Sequence, residues 1–378
     1  MEQLGDREIR IDRIEVREIS LPLIRPFETS FGTCDVRRSL LIHIEAEGAE
    51  GWGEVPVEEK PAFGPETTST ASGIIQQCLG PLLLEDSLPE GPKGIPPLLS
   101  IVRGHPMAKA GLEAAVWDLE SARQGKSLAR LYGSERAAIP VGISLGIQDR
   151  VETLLERIGE AQDLGYRRIK IKIKRGWDLD VVREVRRVYP DIPLMVDANG
   201  AYTLDDAALF RSLDEFDLMM IEQPLHPMDL VDHARLQTMM ETPVCLDESL
   251  RWRGDVEAAL RLGALRVVNL KPARVGGISE ALAIHEICRR RGVPLWCGGL
   301  LETGVGRIHN LALASLPGFT LPGDISASER YYEKDIVDPP ILLGENGRID
   351  VPQETGLRGR VDGGEVERRT LATFELKR

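Results

Sequence analysis

Cysteine is scarce and badly spaced for structural use. The 378 residues include five (Cys34, Cys78, Cys245, Cys288 and Cys297), an odd number with no CxxC pair. That argues against a disulfide framework or a zinc site and suits a reducing compartment. Long apolar runs are missing as well, and none approaches the roughly 20 residues needed to span a bilayer. The amino terminus, MEQLGDREIRIDR, is charged and has no apolar signal core, so a cytoplasmic protein without a membrane partner is predicted. Positive charge is in deficit: 47 Lys and Arg face 60 Asp and Glu, for a net charge of −13. Nucleic acid is therefore not an expected partner, since phosphate binding needs clustered Lys and Arg. An anionic small molecule is not excluded, because whole-protein charge is screened beyond about 8–10 Å and the local site decides. The chain is 42% hydrophobic and 28% charged, ordinary for a soluble enzyme and enough for two domains with a large core.

What the sequence does have is a regular interval. Short apolar runs end at Lys172 (RIKIKIK), Asp197 (LMVDAN), Glu222 (LMMIEQP), Asp247 (VCLDES) and Lys271 (VVNLKP), with separations of 25, 25, 25 and 24 residues. A strand, a turn, a helix and a second turn fill about that length, so the spacing reads as one βα unit per charge. Repeated βα units make a parallel sheet whose strands are buried on both faces, as the Val, Ile, Leu and Met runs require. The pattern begins at IPVGISLG, where alternation puts Gly142, Ser144 and Gly146 on one face and leaves room at a strand end. Helices are predicted near Arg150–Leu164, Asp178–Val188, Leu204–Phe216, Asp229–Met240, Gly254–Leu262, Ile278–Arg291 and Arg307–Ala314, with glycine caps at Gly165 and Gly292. VPLWCGG gives a seventh strand, and Phe319–Pro322 is the expected eighth.

Before the repeat, Ile9–Leu23 and Ser39–Ala46 alternate as strands, and Gly51–Pro56 forms a third. Helical periodicity follows at Ala71–Leu84 and Met107–Gln124. Residues 1–132 therefore read as a separate α+β unit, residues 133–325 as a (β/α)8 TIM-type barrel with an irregular unit, and residues 326–378 as a segment returning to cover the first unit. Strand-like patches fall near Ile341 and Thr370. Between the first two strands, LPLIRPFETSFGT suggests a lid loop near residues 24–33 carrying Phe27 and Phe31.

Barrel enzymes keep their chemistry at the carboxyl ends of the strands, where each charged residue falls. Asp197, Glu222 and Asp247 end neighbouring strands three, four and five. Three converging carboxylates repel one another in a partly dry site, and a hard divalent cation, Mg²⁺ or Mn²⁺, resolves that repulsion. Glu248 competes with Asp247, but alternation is expected to point only one inward and the even spacing favours Asp247. Lys172 and Lys271 end strands two and six, on opposite sides of an eight-strand ring, with Lys170 one layer below Lys172. Like charge and burial are expected to lower a lysine pKa towards the range of a general base. The constellation suits abstraction of a proton α to a carboxylate, with the enediolate stabilised by the cation.

The motifs KIK (Lys170–Lys172), VDAN, IEQP, CLDES and NLKPARVGG resemble the muconate-lactonising subgroup of the enolase superfamily. CGGLLETGVGR and LASLPGFTLPGD are more similar to the o-succinylbenzoate synthase and N-acylamino acid racemase family. The resemblance covers most of the chain. It implies a modified (β/α)8 barrel with an N-terminal capping domain completed by the C-terminal tail, Mg²⁺ or Mn²⁺, a small carboxylate substrate, and a cytoplasmic homo-oligomer between dimer and octamer. By motif it makes Lys172 and Lys271 the catalytic pair and Asp197, Glu222 and Asp247 the metal ligands. It places Ser144, Lys170, Asn199, Arg274, Gly299 and Phe27 around the substrate, with Arg274 tuning Lys271. The implied activities are dehydration to o-succinylbenzoate in menaquinone biosynthesis and racemisation of N-succinylamino acids. A dipeptide epimerase or muconate-type cycloisomerase is the nearest alternative. More distant ones are a Schiff-base aldolase using either lysine and a metal-carboxylate-binding barrel without catalysis.

Overall fold

A computed structural model of the chain describes residues 8–30 and 32–378; Phe31 and the charged amino-terminal stretch before Glu8 lie outside the described residues. Three antiparallel strands open the fold: β1 (Arg13–Thr29), β2 (Gly32–Ala46) and β3 (Ala49–Val55). Alternation buries Ile14, Val16, Leu40, Ile42 and Ile44 in a core shared with the helix Pro106–Gln124. That helix lies directly on β3. A Cβ on Gly51 would stand 2.1 Å from the Ala115 carbonyl, and one on Gly53 would stand 2.2 Å from that of Gly111. Only glycine permits so close an approach. The predicted helix over residues 71–84 is interrupted instead, by a π turn at Ile75–Leu79 between Thr68–Ile74 and Gly80–Glu85.

The expected lid loop is a hairpin. β1 and β2 run on to Phe27↔Cys34, Glu28↔Thr33 and Thr29↔Gly32, with the register broken between Pro22 and Phe27. Pro22 and Pro26 favour a loop, but Pro26 falls inside that break and so interrupts no ladder bond. The hairpin tip rests on the second domain: Ile147 N donates to the Glu28 carbonyl at 3.0 Å, and Lys174 meets the Glu28 carboxylate at 3.1 Å. A Cβ on Gly146 would come within 2.7 Å of that same carbonyl, so the small residue is needed here.

After β4 (Ala138–Pro140) come seven parallel strands in one sheet: β5 (Ile143–Leu145), β6 (Ile169–Lys172), β7 (Leu194–Asp197), β8 (Ile221–Glu222), β9 (Val244–Leu246), β10 (Val267–Leu270) and β11 (Leu295–Cys297). Helices at Val151–Asp163, Leu179–Val188, Ala207–Leu213, Leu230–Met239, Arg253–Leu262, Ile278–Arg291 and Gly304–Ala314 follow the strands in turn. The eighth position is not a regular strand. Residues 319–324 close the ring through single bonds, Thr320 N to Leu295 O and Asp324 N to Cys297 O on one side, and Gly142 N to Gly323 O on the other. Ile169, Ile171 and Ile173 pack outwards under the helices, while Met195, Met220, Cys245 and Trp296 fill the inside. The tail pairs β12 (Arg348–Asp350) with β4, and β13 (Thr370–Lys377) with β1. The strand-like patch at Ile341 is buried without forming a strand. Among the described residues no helix is long and apolar enough to cross a membrane.

Buried glutamates of the first unit hold the second. Glu54, at the end of β3, accepts from the Thr303 and Gly306 amides at the start of Gly304–Ala314. Glu113 accepts from Ser279 N at 2.8 Å, at the start of Ile278–Arg291, and from the Trp117 indole at 3.0 Å. Both satisfy helix-terminal N–H groups that lack an intrahelical partner. Burial, with Glu280 adding to it and the bonds from Ser279 and Trp117 opposing, pushes the Glu113 carboxyl up to about 7. Its folded value lies above its unfolded one, so the stability linked to Glu113 is full below the unfolded value and lost as pH rises through about 7. Glu113→Gln removes the titration. The Tm of the variant relative to wild type is expected to rise between pH 5 and pH 8, and an unchanged difference would contradict this.

Candidate active site

Parallel register brings the carboxyl ends of the strands to one rim, and Lys172 is paired with Asp197, and Asp197 with Glu222, across neighbouring strands. Lys172 donates to Asp197 at 2.6 Å and to Asn199 at 2.9 Å. Lys271 donates to Asp247 at 2.8 Å and lies 4.4 Å from the centre of the Phe63 ring, contributed by the capping unit. Lys170, deeper in the barrel, meets Asp324 at 2.5 Å, Glu222 at 2.9 Å and Asp197 at 3.3 Å. All three lysines, with Phe27, Ser144, Asn199 and Gly299, line one cavity of about 520 Å³ between barrel and capping unit. The Ser144 hydroxyl is buried and has no partner among the described residues. Of the KIKIK lysines, Lys174 lies past the end of β6 and pairs with Glu28.

Asp197, Glu222 and Asp247 sit beneath this cavity. Burial would raise Asp197 and Asp247, but Lys172 and Lys170 hold the first below the usual carboxylate range, and Lys271 and Arg274 the second. Glu222 goes the other way. Burial and the charges of Asp197 and Asp247 push it up to about 8, against the pull of Lys170. Among the described residues no three Asp, Glu, His or Cys side chains are grouped as a ready metal cage; each of these carboxylates is bonded to a lysine, an arginine or an asparagine. The donor set nevertheless fits a hard divalent cation, since all its atoms are carboxylate oxygens.

Lys170 and Lys271 depart from the expected lowering. For Lys170 burial is the largest influence and does act downwards, but Asp324, Glu222 and Asp197 together outweigh it and raise the ammonium well above its usual value. Lys271 is likewise raised by Asp247 against burial, with Arg274 opposing. Alternation also fails to separate Asp247 from Glu248. β9 ends at Leu246, so both side chains reach the rim, and Glu248 accepts from Asn199 at 2.9 Å. Burial and the neighbouring Asp247 and Asp197 push Glu248 up to about 7. Arg274 is outside the cavity wall. Its guanidinium bonds the Asp247 carboxylate and the Leu250 and Asn269 carbonyls, so it positions Asp247 rather than touching the cavity.

Several participants went unmarked in the sequence. Asn269, two residues before Lys271 and on the same strand face, donates to Glu222 at 2.7 Å; period-two alternation could have found it. Asp324 ends the irregular eighth segment, where it pairs with Lys170 and with the buried Arg168. Phe63, Arg37 and Arg307 carry no local signal.

A capped barrel with lysines and carboxylates at the carboxyl ends of its strands defines a class of enzyme. Residues 13–133 match the mandelate racemase / muconate lactonizing enzyme N-terminal domain family, and residues 153–363 the enolase C-terminal domain-like family. The chain is 48% identical over 363 residues to an o-succinylbenzoate synthase of Geobacillus kaustophilus, covering 96% of each chain. It is 46% identical over 363 residues to an N-succinylamino acid racemase of Thermus thermophilus, covering 96% of this chain and 98% of that one. An enolase superfamily member from Listeria innocua superposes with a TM-score of 0.93 at 42% identity, over 98% of this chain and 99% of that one. The chain belongs to the enolase superfamily, alongside the o-succinylbenzoate synthases and N-succinylamino acid racemases, and is an enzyme of the lyase or isomerase type.

Asp324→Asn leaves the buried Arg168 and Lys170 short of a counter-charge. Removing one partner of a buried ion pair typically costs about 3–5 kcal/mol, and urea unfolding of this variant is expected to show a loss of that order. A loss within experimental error of zero would mean that Asp324 is not holding them.

Proposed function

We propose that the enzyme dehydrates 2-succinyl-6-hydroxy-2,4-cyclohexadiene-1-carboxylate to o-succinylbenzoate, in the cytoplasm and in menaquinone biosynthesis, and also racemises N-succinylamino acids. The observation that carries this reading is that Lys172 and Lys271, from β6 and just beyond β10, line one cavity beside three buried carboxylates. Asp197, Glu222 and Asp247 are the residues that would hold Mg²⁺ or Mn²⁺, with Glu248 close by. When bound, the cation supplies the counter-charge that makes a proton α to a carboxylate acidic.

The chain's own residues do the proton work. In the synthase reaction Lys172 takes the α-proton and returns it to the departing hydroxyl, which leaves as water and makes the ring aromatic. Lys271, protonated, stabilises the enediolate from the other side. In racemisation one lysine removes the α-proton and the other delivers one to the opposite face, the roles exchanging with the enantiomer. Asn199, bonded to both Lys172 and Glu248, fixes the lysine's direction. Phe63 over Lys271 and the hairpin carrying Phe27 cover the cavity and limit access of water.

Lys172→Ala and Lys271→Ala are each expected to abolish racemisation, and Lys172→Ala to abolish dehydration by about 10³-fold or more, with Mg²⁺ affinity by calorimetry retained. EDTA is expected to abolish turnover, and borohydride to trap no adduct. Normal racemisation by either variant, or metal-independent borohydride trapping, would overturn the two-lysine reading.

A further inference from the structure

Two buried guanidinium groups in the cavity wall take no part in the proton chemistry. Arg37, on β2, and Arg307, on the Gly304–Ala314 helix, are each 2% exposed, and both line the cavity that holds Lys172 and Lys271. Arg307 lies over the Tyr331 and Tyr332 rings at 5.2 and 5.5 Å, and Tyr331 lines the same cavity as both arginines.

Their donors are under-used. Arg37 Nη2 donates to the Pro56 carbonyl and Nη1 stands 3.8 Å from Glu58, but Nε has no partner among the described residues. Arg307 Nη1 is 3.5 Å from Asp335 without a hydrogen bond, and neither Nη has a hydrogen-bond partner among the described residues. A buried donor left unpaired costs about 1–3 kcal/mol. Arg274 is bonded through Nε and both Nη atoms; Arg168 and Arg360, like Arg37, keep an unpaired Nε, whereas Arg307 leaves both Nη atoms unpaired. Glu58, Glu59 and Glu302 also line the cavity, as do Arg38, Lys60 and the three lysines, so the wall carries both signs. The planar fork of a guanidinium matches a carboxylate in two-point bonding, which a lysine does not.

We propose that Arg37 and Arg307 form an anion subsite for the second carboxylate of a dianionic substrate, the succinyl carboxylate, and thereby set the preference for succinyl over neutral acyl groups. The proposal rests on the activity inferred above and adds the residues that select the substrate's far end. Cation and lysines act on the carboxylate next to the α-carbon, and one arginine from each unit reads the other one.

The test compares kcat/KM for N-succinyl-L-methionine with that for N-butyryl-L-methionine, of equal acyl length but uncharged at its end. The ratio of the two cancels the fraction of folded enzyme, so partial unfolding does not imitate the effect. Wild type is expected to favour the succinyl substrate. Arg37→Gln and Arg307→Gln are each expected to reduce the ratio by about 10–100-fold, the range of a lost charged hydrogen bond, chiefly through KM. Arg307→Lys is expected to restore part of it. A ratio within twofold of wild type in both glutamine variants overturns the subsite. If wild type turns over neither substrate nor the cyclohexadiene acid, the activity reading fails instead. Calorimetric binding of o-succinylbenzoate to the Mg²⁺-loaded proteins then decides the subsite alone: weaker binding by the variants supports it and equal binding overturns it.

Discussion

At the barrel mouth Asp197, Glu222, Asp247 and Asp324 share a buried interior with Arg168, Lys170, Lys172, Lys271 and Arg274. None of these charges is tolerable alone, since the desolvation of a single buried ion costs several kcal/mol even after relaxation. Each is set against a charge of opposite sign: Arg168 with Asp324, Lys170 between Asp324 and Glu222, Lys172 on Asp197, and Lys271 with Arg274 on Asp247. The interior fill adds to this, because Trp296 offers its ring to Arg168 and Lys170 at 4.5 and 4.9 Å. Glu222 is where the balance strains, with its proton held up to about 8.

The second constraint is the contact between the two units. Glu54 and Glu113 carry capping-unit carboxylates into the amino ends of the helices that follow β11 and β10. Those helices come straight after the Gly298–Thr303 turn and the Lys271–Gly277 turn, both of which reach the cavity region. A Cβ on Gly277 would fall on the Glu113 carboxylate, so the second glycine of PARVGG is required by this interdomain contact. The cavity is thus a product of docking. Neither unit encloses it by itself, because Phe27, Phe63 and Arg37 come from one side and the lysines and Arg307 from the other.

The barrel was legible because its physics is local and repeated. Each strand buried on both faces needs a continuous apolar run, and each run must be followed by a helix of similar length, so Lys172, Asp197, Glu222, Asp247 and Lys271 fall at a fixed interval and land together on one rim. Where that regularity lapses, so does the reading. The eighth segment closes the ring through isolated bonds rather than a ladder. The hairpin of β1 and β2 hides two prolines at an interrupted register, and Glu248 turns inward because its strand has already ended.

By itself the sequence determined which side chains stand at the carboxyl ends of the strands, and hence that carboxylates and two opposed lysines face one another. That follows from strand alternation and repeat length alone. Only the tertiary structure decided how those charges are shared, which residues of the capping unit close over them, and that Arg37 and Arg307 line the same cavity. These depend on the docking of segments far apart in the chain, and no local pattern records the register of that contact. For the same reason the lysines could not be ranked from the sequence. Burial alone lowers an ammonium, and the sign reverses only once the number of carboxylates around it is known.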